Sequence, residues 1–357
     1  MASSGGGGLG AQPLLRVSLP MLAENYAALC DLAGPARLGA VVKSDAYGLG
    51  LLPVAEHLAR SGCDLFLVAW LDEGIALRER LGPDAEIWIM HGVEPGGQDE
   101  CSARGLIPVL NDPDQIARWS SSHADHPAVL NIDTGMNRLG VDPGQLPGVI
   151  AFRLHALMSH LASSGRPDSA QNAEQLARLH RAAGRLGSAH RAPISLANTG
   201  GVLLGADYRF DICRCGIGLY GGILHERIAP VVELHTQVLQ VRRLRAGESV
   251  GYNARWCAPA GGAQIAVIAA GYADGWLFDG GWARVGGVRV PMVGEVSMDL
   301  ITLDVTGLEV QPGDPVALAD AQLTVPELSR LTGRSSYDIL TGIGARFRRE
   351  YVLGAEP

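Results

Sequence analysis

The sequence predicts an α/β fold, an N-terminal (β/α)8 TIM-like barrel, joined to a C-terminal β-strand domain. Three observations carry this: eight short apolar runs between Leu38 and about Gly216, helical spacing between them, and a change to a period of two near Pro230. Apolar runs that do not alternate mark strands buried on both faces, as in parallel sheets covered by helices. Eight such runs, each followed by a crossover, fit a closed barrel better than a doubly wound sheet, which has fewer strands.

Taken in order, residues 1–12 form a Ser/Gly tract, expected to be a disordered lead-in and not a secretory signal. The barrel is expected over residues 13–230. Its strands are read at Leu38–Lys43, Leu65–Trp70, Glu86–His91, Ile107–Leu110, Ala128–Asp133, Arg153–His160, Ile194–Asn198 and Phe210–Cys215. Helical stretches lie between them, as at Asp72–Leu81 and Ser169–Leu186. A second, all-β domain is expected over 231–357, with strands at Val231–Arg245, Gln264–Ala270, Ala283–Val293 and Ser297–Val305. Val231–Arg245 alternates apolar and polar residues, the signature of a half-exposed strand.

A length of 357 residues is ample for two cores. No apolar stretch approaches the roughly 18 residues of a transmembrane helix, so no membrane partner is expected. The net charge of -8 argues against nucleic acid. Six scattered cysteines without a CxxC pair suggest reduced thiols in a cytoplasmic protein. Cys213 and Cys215 are read as sharing one buried strand face.

Barrels place their chemistry at the C-terminal mouth of the strands. Lys43 closes the first strand there, where desolvation lowers an amine's pKa and makes it a nucleophile. A lysine merely reaching solvent at a strand end is an equally weighted reading of that residue alone. Arg138, in Asp133-Thr-Gly-Met-Asn-Arg138, follows the fifth strand with a planar fork suited to a carboxylate or phenolate. Asn198-Thr199-Gly-Gly and Arg214-Cys-Gly216-Ile217-Gly218 close the last two strands, where barrels commonly bind phosphate. His160 ends the sixth strand; no Glu or second His stands at ligand spacing, so no metal is expected. In the β domain, Gly251-Tyr252, Gly271-Tyr272 and Ser297-Met298-Asp299 fall in turns.

Together these motifs resemble the alanine racemase family over nearly the whole chain, from about residue 15 to residue 350. The resemblance implies a pyridoxal 5'-phosphate (PLP) enzyme acting on L- and D-alanine for cell-wall synthesis or alanine catabolism. It also implies a homodimer in which the barrel of one subunit meets the β domain of the other. Lys43-Ser-Asp-Ala-Tyr-Gly looks like the family's cofactor-lysine signature. The catalytic residues implied are Lys43 and Tyr252 as the two bases, with His160 and Arg214 tuning Tyr252. Arg214 would also meet the cofactor's pyridine nitrogen. Tyr47, Asn198, Thr199, Gly216 and Ile217 would sit at the cofactor, with Arg138 on its phenolate and on the substrate carboxylate. Met298, Tyr272 and Asp299 would border the substrate.

The sequence departs from the family pattern in places. Leu49 stands where a His is common, and Ala345 replaces a tyrosine that some members use on the phosphate. Asn131 stands where many members carry a carbamylated lysine, so an anion is expected to take over beside Arg138. Three neighbouring readings are a serine or broad-spectrum racemase, a single-domain PLP-binding protein and a decarboxylase. A β domain bearing Tyr252 argues against the last two.

Overall fold

The structure is a computed structural model that describes residues 12–146, 150–186, 192–276 and 280–354. The expected lead-in, apart from Gln12, lies outside the described residues. The chain forms two compact units. One is Leu22–Leu219; the other joins the segment up to Met21 to the chain from Tyr220 onward.

Strand β1 (Leu14–Ser18) belongs to the second unit, although the sequence reading began the barrel at residue 13. The barrel comprises β2 (Arg37–Val41), β3 (Leu65–Val68), β4 (Glu86–Ile89), β5 (Ile107–Leu110), β6 (Pro127–Asn131), β7 (Arg153–Met158), β8 (Ile194–Ser195) and β9 (Ile212–Cys215). All pairings are parallel, in the order β8-β7-β6-β5-β4-β3-β2-β9. Two backbone hydrogen bonds draw the last gap together: Arg214 N–H donates to Ala197 O at 2.8 Å and Asp211 N–H to Ile194 O at 3.1 Å.

Most strands stop one to three residues earlier than their apolar runs. Val42, Ala69, Ile132, Leu196 and Ala197 are buried, yet lie past the ends of the paired segments. An apolar run reports burial, whereas a strand also needs a hydrogen-bonded neighbour. The surplus residues are the first turns of the mouth loops. Between the strands, helices at Leu71–Leu81 and Ala170–Arg185 match the expected stretches to within a residue.

In the second unit, β10 (Val232–Leu244) alternates buried and half-buried residues through its first seven positions. It pairs antiparallel with β1, with β13 (Ala263–Ile268) and with β17 (Pro315–Ala319). Strands β11 (Ser249–Val250) and β12 (Trp256–Cys257) flank the Tyr252 turn. The run expected as one strand over Ala283–Val293 is a hairpin of β14 (Trp282–Val285) and β15 (Val288–Pro291). Gly286 and Gly287 turn it, both at positive φ (57° and 81°), as a two-residue hairpin loop demands. Strand β16 (Ile301–Asp304) pairs with β13, and β18 (Arg348–Val352) runs parallel to β1. Helices at Val325–Thr332 and Ser336–Thr341 make the domain mostly β where the sequence reading had it all-β. Thr324 and Ser335 cap them, signals overlooked beside the strand pattern. Among the described residues no helix is long and apolar enough to cross a membrane.

Candidate active site

Lys43 follows β2 at the C-terminal mouth of the barrel. The residues after it leave the strand in an unusual way: Ser44, Asp45, Ala46 and Tyr47 all have φ between 52° and 58°. Four consecutive non-glycine residues in the left-handed region cost roughly 1–2 kcal/mol each, so their surroundings must hold them there. Side chains do this at both ends. Glu73 Oε1 accepts the Ser44 N–H at 2.7 Å, and Asp45 Oδ1 accepts the Leu51 N–H at 2.7 Å. Burial lowers the Lys43 pKa, Arg138 and Arg214 lower it further, and Glu73 opposes them.

Arg214, on β9, is 2% exposed. Its Nη1 donates to Ser195 Oγ at 2.6 Å, and its Nη2 donates to Ser159 O at 2.7 Å and lies 3.3 Å from His160 Nδ1. None of these partners is a carboxylate. Burial, only partly opposed by Cys213 and Cys215, brings its pKa down to about 10, so the fold keeps a cation where it is costly. His160 feels the consequence. Its burial, with Arg214, Arg138 and Lys43 adding to it, pushes its pKa down to about 3, so the ring is neutral at pH 7.

Arg138 is exposed, in a loop built on Asp133, whose Oδ1 accepts the N–H groups of Gly135, Met136 and Asn137 at 2.8 to 3.1 Å. Asn137 takes φ 56°. Beneath the loop, Asn131 Nδ2 donates to Asn111 Oδ1 at 2.8 Å and to Leu139 O at 3.2 Å. Both amide protons are thereby used, leaving none for the expected anion, and the loop is braced by an amide pair instead. Gln175, buried, donates to Thr134 Oγ1 at 3.2 Å and to His160 O at 2.8 Å, tying this loop to the end of β7.

The phosphate-cradle candidates converge. Tyr47, Thr199 and Ile217 are buried. A side chain at Gly216 would collide with the Tyr47 hydroxyl, and a Cβ at Gly218 would stand 2.7 Å from Thr199 Cγ2. Gly218 N–H donates to Thr199 Oγ1 at 3.3 Å. Asn198 serves a different end: its Oδ1 accepts the Gly201 N–H at 2.9 Å and caps the helix Thr199–Leu204. The backbone at Gly216 and Gly218, bare of side chains on either side of Ile217, lies beside a hydroxyl pair and, with a desolvated lysine at the same mouth, fits a phosphate-bearing aldehyde such as PLP. Among the described residues no group of three His, Cys, Asp or Glu could hold a metal ion.

In the second unit, Tyr252 sits in a turn whose next two residues, Asn253 and Ala254, have φ 58° and 48°. Asn253 Nδ2 donates to Glu295 Oε2 at 3.1 Å, and Arg255 pairs with the same oxygen at 3.3 Å. Tyr272 and Met298 lie on two turns zipped together, the Tyr272 N–H donating to Ser297 O at 3.1 Å and the Ala273 N–H to Met298 O at 3.0 Å. Gly271 has no room for a side chain against those carbonyls. Asp299 accepts from Arg346 Nη1 at 2.6 Å, and Arg346 also reaches the buried Asp274 at 3.1 Å. Tyr252, Met298 and Tyr272 are 64%, 54% and 45% exposed.

Sequence reasoning missed Glu73, Asn111 and Gln175. For Glu73 a signal existed: it is the third residue of its helix, where a Glu commonly reaches back to the helix start.

Family comparison agrees with this geometry. Residues 17–223 match the alanine racemase N-terminal domain, and residues 231–351 match the alanine racemase C-terminal domain. A catabolic alanine racemase of Agrobacterium fabrum is 40% identical, over 96% of this chain and 93% of its own. The alanine racemase of Dinoroseobacter shibae is 42% identical, over 95% and 98%. Among solved structures, the Bartonella henselae alanine racemase with covalently bound pyridoxal phosphate matches with a TM-score of 0.90 at 32% identity, covering 96% of this chain and 100% of that one. The biosynthetic alanine racemase of Pseudomonas aeruginosa gives 0.88 at 31%, with the same coverage. With both domain families matched in order and relatives this similar along almost their full length, the chain belongs to the alanine racemase family.

Proposed function

We propose that this protein interconverts L- and D-alanine with PLP bound at the barrel mouth, Lys43 and Tyr252 serving as the two bases. The observation that carries this reading is the pairing, at one mouth, of a desolvated Lys43 with a buried Arg214 that has no carboxylate partner among the described residues. When bound, PLP withdraws electrons from the substrate Cα and so acidifies its C–H bond.

The chain's own groups do the rest. Lys43 Nζ, its pKa lowered by burial and by Arg138, moves a proton to or from Cα on the face it occupies. The Tyr252 hydroxyl of a second copy moves the proton on the opposite face, which suits its exposure in this chain. His160 stays neutral and, with Arg214, belongs to the hydrogen-bonded chain that serves that tyrosine. Arg214 would meet the pyridine nitrogen as a donor that keeps its own proton, which disfavours a protonated ring. Arg138 holds the substrate carboxylate, while Tyr47, Thr199, Gly216 and Ile217 hold the phosphate. Met298, Tyr272 and Asp299 border the substrate from the second copy, making the active assembly a homodimer. Relatives with both catabolic and biosynthetic names leave this chain's direction in the cell to genetics.

Single L-amino acids incubated with the PLP-loaded protein and resolved by chiral chromatography test this. D-Alanine should accumulate ahead of D-serine, and Lys43→Ala and Tyr252→Phe should each suppress it. Turnover that survives in Tyr252→Phe would remove the second base from the scheme.

A further inference from the structure

We propose that Glu73 is a positioning residue for Lys43, its carboxylate fixing the peptide that joins Lys43 to the left-handed turn. This rests on the reading of Lys43 as the reacting amine. Three backbone donors converge on the one carboxylate. The Ser44 N–H reaches Oε1 at 2.7 Å, while the Ala69 and Trp70 N–H groups reach Oε2 at 2.8 and 3.1 Å. Ala69 and Trp70 join β3 to the helix Leu71–Leu81, so Glu73 links two neighbouring mouth loops.

The Ser44 N–H belongs to the peptide that follows Lys43 directly, at the first of the four left-handed residues. Without a fixed acceptor there, that peptide can rotate toward ordinary φ, and the Lys43 side chain turns with it. Charge acts in the same place. Arg138, Arg214 and Glu73 act on Lys43, and Lys43, Glu73 and Arg138 act on His91 beside it; Glu73 is the acid of both sets. His91 is itself held edge-on to Trp70, with ring centres 4.5 Å apart. One carboxylate thus holds the turn mechanically and offsets the cations around the amine.

Two variants separate positioning from plain stability. Glu73→Asp, one methylene shorter, keeps an acceptor for the start of its own helix but no longer reaches Ser44. Glu73→Gln keeps the length, removes the charge and leaves one acceptor oxygen, which can serve either Ser44 or the Ala69 and Trp70 pair. In the dimeric, PLP-loaded enzyme, Glu73→Asp should lower kcat at least about tenfold with KM changed less than about twofold, because the reacting amine is displaced while substrate contacts persist. Amide hydrogen exchange at Ser44 should speed up about tenfold or more as its charged acceptor is lost. The thermal midpoint should stay at the wild-type value. In the cofactor-free form of Glu73→Gln, where Lys43 is a free amine, competitive acetylation of Lys43, followed by peptide mass spectrometry, should report an amine that titrates at lower pH than in the cofactor-free wild type. Wild-type kcat in both variants, or unchanged Ser44 exchange in Glu73→Asp, would overturn the proposal. A wild-type protein that racemises no amino acid would instead sink the functional reading. Exchange and acetylation would still decide the role of Glu73.

Discussion

The two ends of the barrel treat charge in opposite ways. At the floor, where the strands begin, Arg37 donates to Glu86 Oε2 at 2.7 Å and to Asp64 Oδ1 at 2.9 Å. Glu86 Oε1 also takes the Trp88 Nε1–H at 2.6 Å and stands 2.7 Å from His155 Nε2. At the mouth, Arg214 has only neutral hydrogen-bond partners among the described residues; Arg138 and Arg214 depress Lys43, and all three cations add to the depression of His160. Floor charges are matched, so they hold the strands together; mouth charges are mismatched, which burial makes costly unless a ligand's anionic groups complete them. A barrel of this kind carries stability at one end and chemistry at the other.

The hardest test of that division is a pair of substitutions. Lys43→Ala should cut racemisation by at least about 10³-fold, since it removes a reacting group. Its cofactor-free thermal midpoint should hold or rise, because a desolvated amine among cations is gone. Glu86→Gln should do the reverse. It leaves kcat/KM within about twofold at 25 °C but costs about 2 kcal/mol, or several degrees in midpoint, as Arg37 and His155 lose their shared anion. Loss of activity in step with loss of stability in both variants would break the distinction.

A smaller effect sharpens it. Arg214→Gln removes the guanidinium that lies 3.3 Å from His160. The His160 ring, held near 3 by burial first and Arg214 next, should then titrate at higher pH. Racemisation should fall about 10²-fold alongside, and ring resonances followed by NMR across pH give the readout. A His160 titration unmoved by the substitution would mean that burial accounts for the whole shift.

Much of this was legible in the sequence because burial and turn chemistry are local properties. The eight apolar runs announced the barrel, and Lys43, His160 and Arg214 stood at their ends. The exact strand ends were not legible, since Val42 and Leu196 are as apolar and buried as any paired residue. Nor was the place of β1, whose partners β10 and β18 lie more than 200 residues away in sequence. At the site, the left-handed turn after Lys43 was hidden because Ser-Asp-Ala-Tyr contains no glycine to advertise positive φ. Its cause, Glu73, comes from the first turn of the helix after β3. Asn131 was legible only as a departure from the family pattern; its partner Asn111 came with the neighbouring strand.

The smallest predicted effect separates the two ends by pH alone. Burial works against the charge of Glu86, but hydrogen bonds from His155 and Arg37 outweigh it and hold its pKa at about 2. Its folded pKa is depressed, so its contribution is complete above the ordinary value near 4.5 and is lost as pH falls toward 2. His160 is also depressed, to about 3 from an ordinary 6.5. As pH falls through 6.5 the unfolded chain takes up its proton first, and stability drains away until about pH 3. Stability of the cofactor-free protein should therefore decline in two stages. Mouth histidines, His160 with His91, act between about 6.5 and 4.5, and the floor joins them below. Each group sets a slope of at most about 1.4 kcal/mol per pH unit, less where solvent reaches it. Urea unfolding at steps of half a pH unit would resolve the stages. His160→Gln should flatten the upper one and Glu86→Gln the lower. A His160→Gln curve that parallels wild type between 6.5 and 4.5 would mean that the mouth is wetter than its packing implies, and that its cations are screened before any ligand arrives.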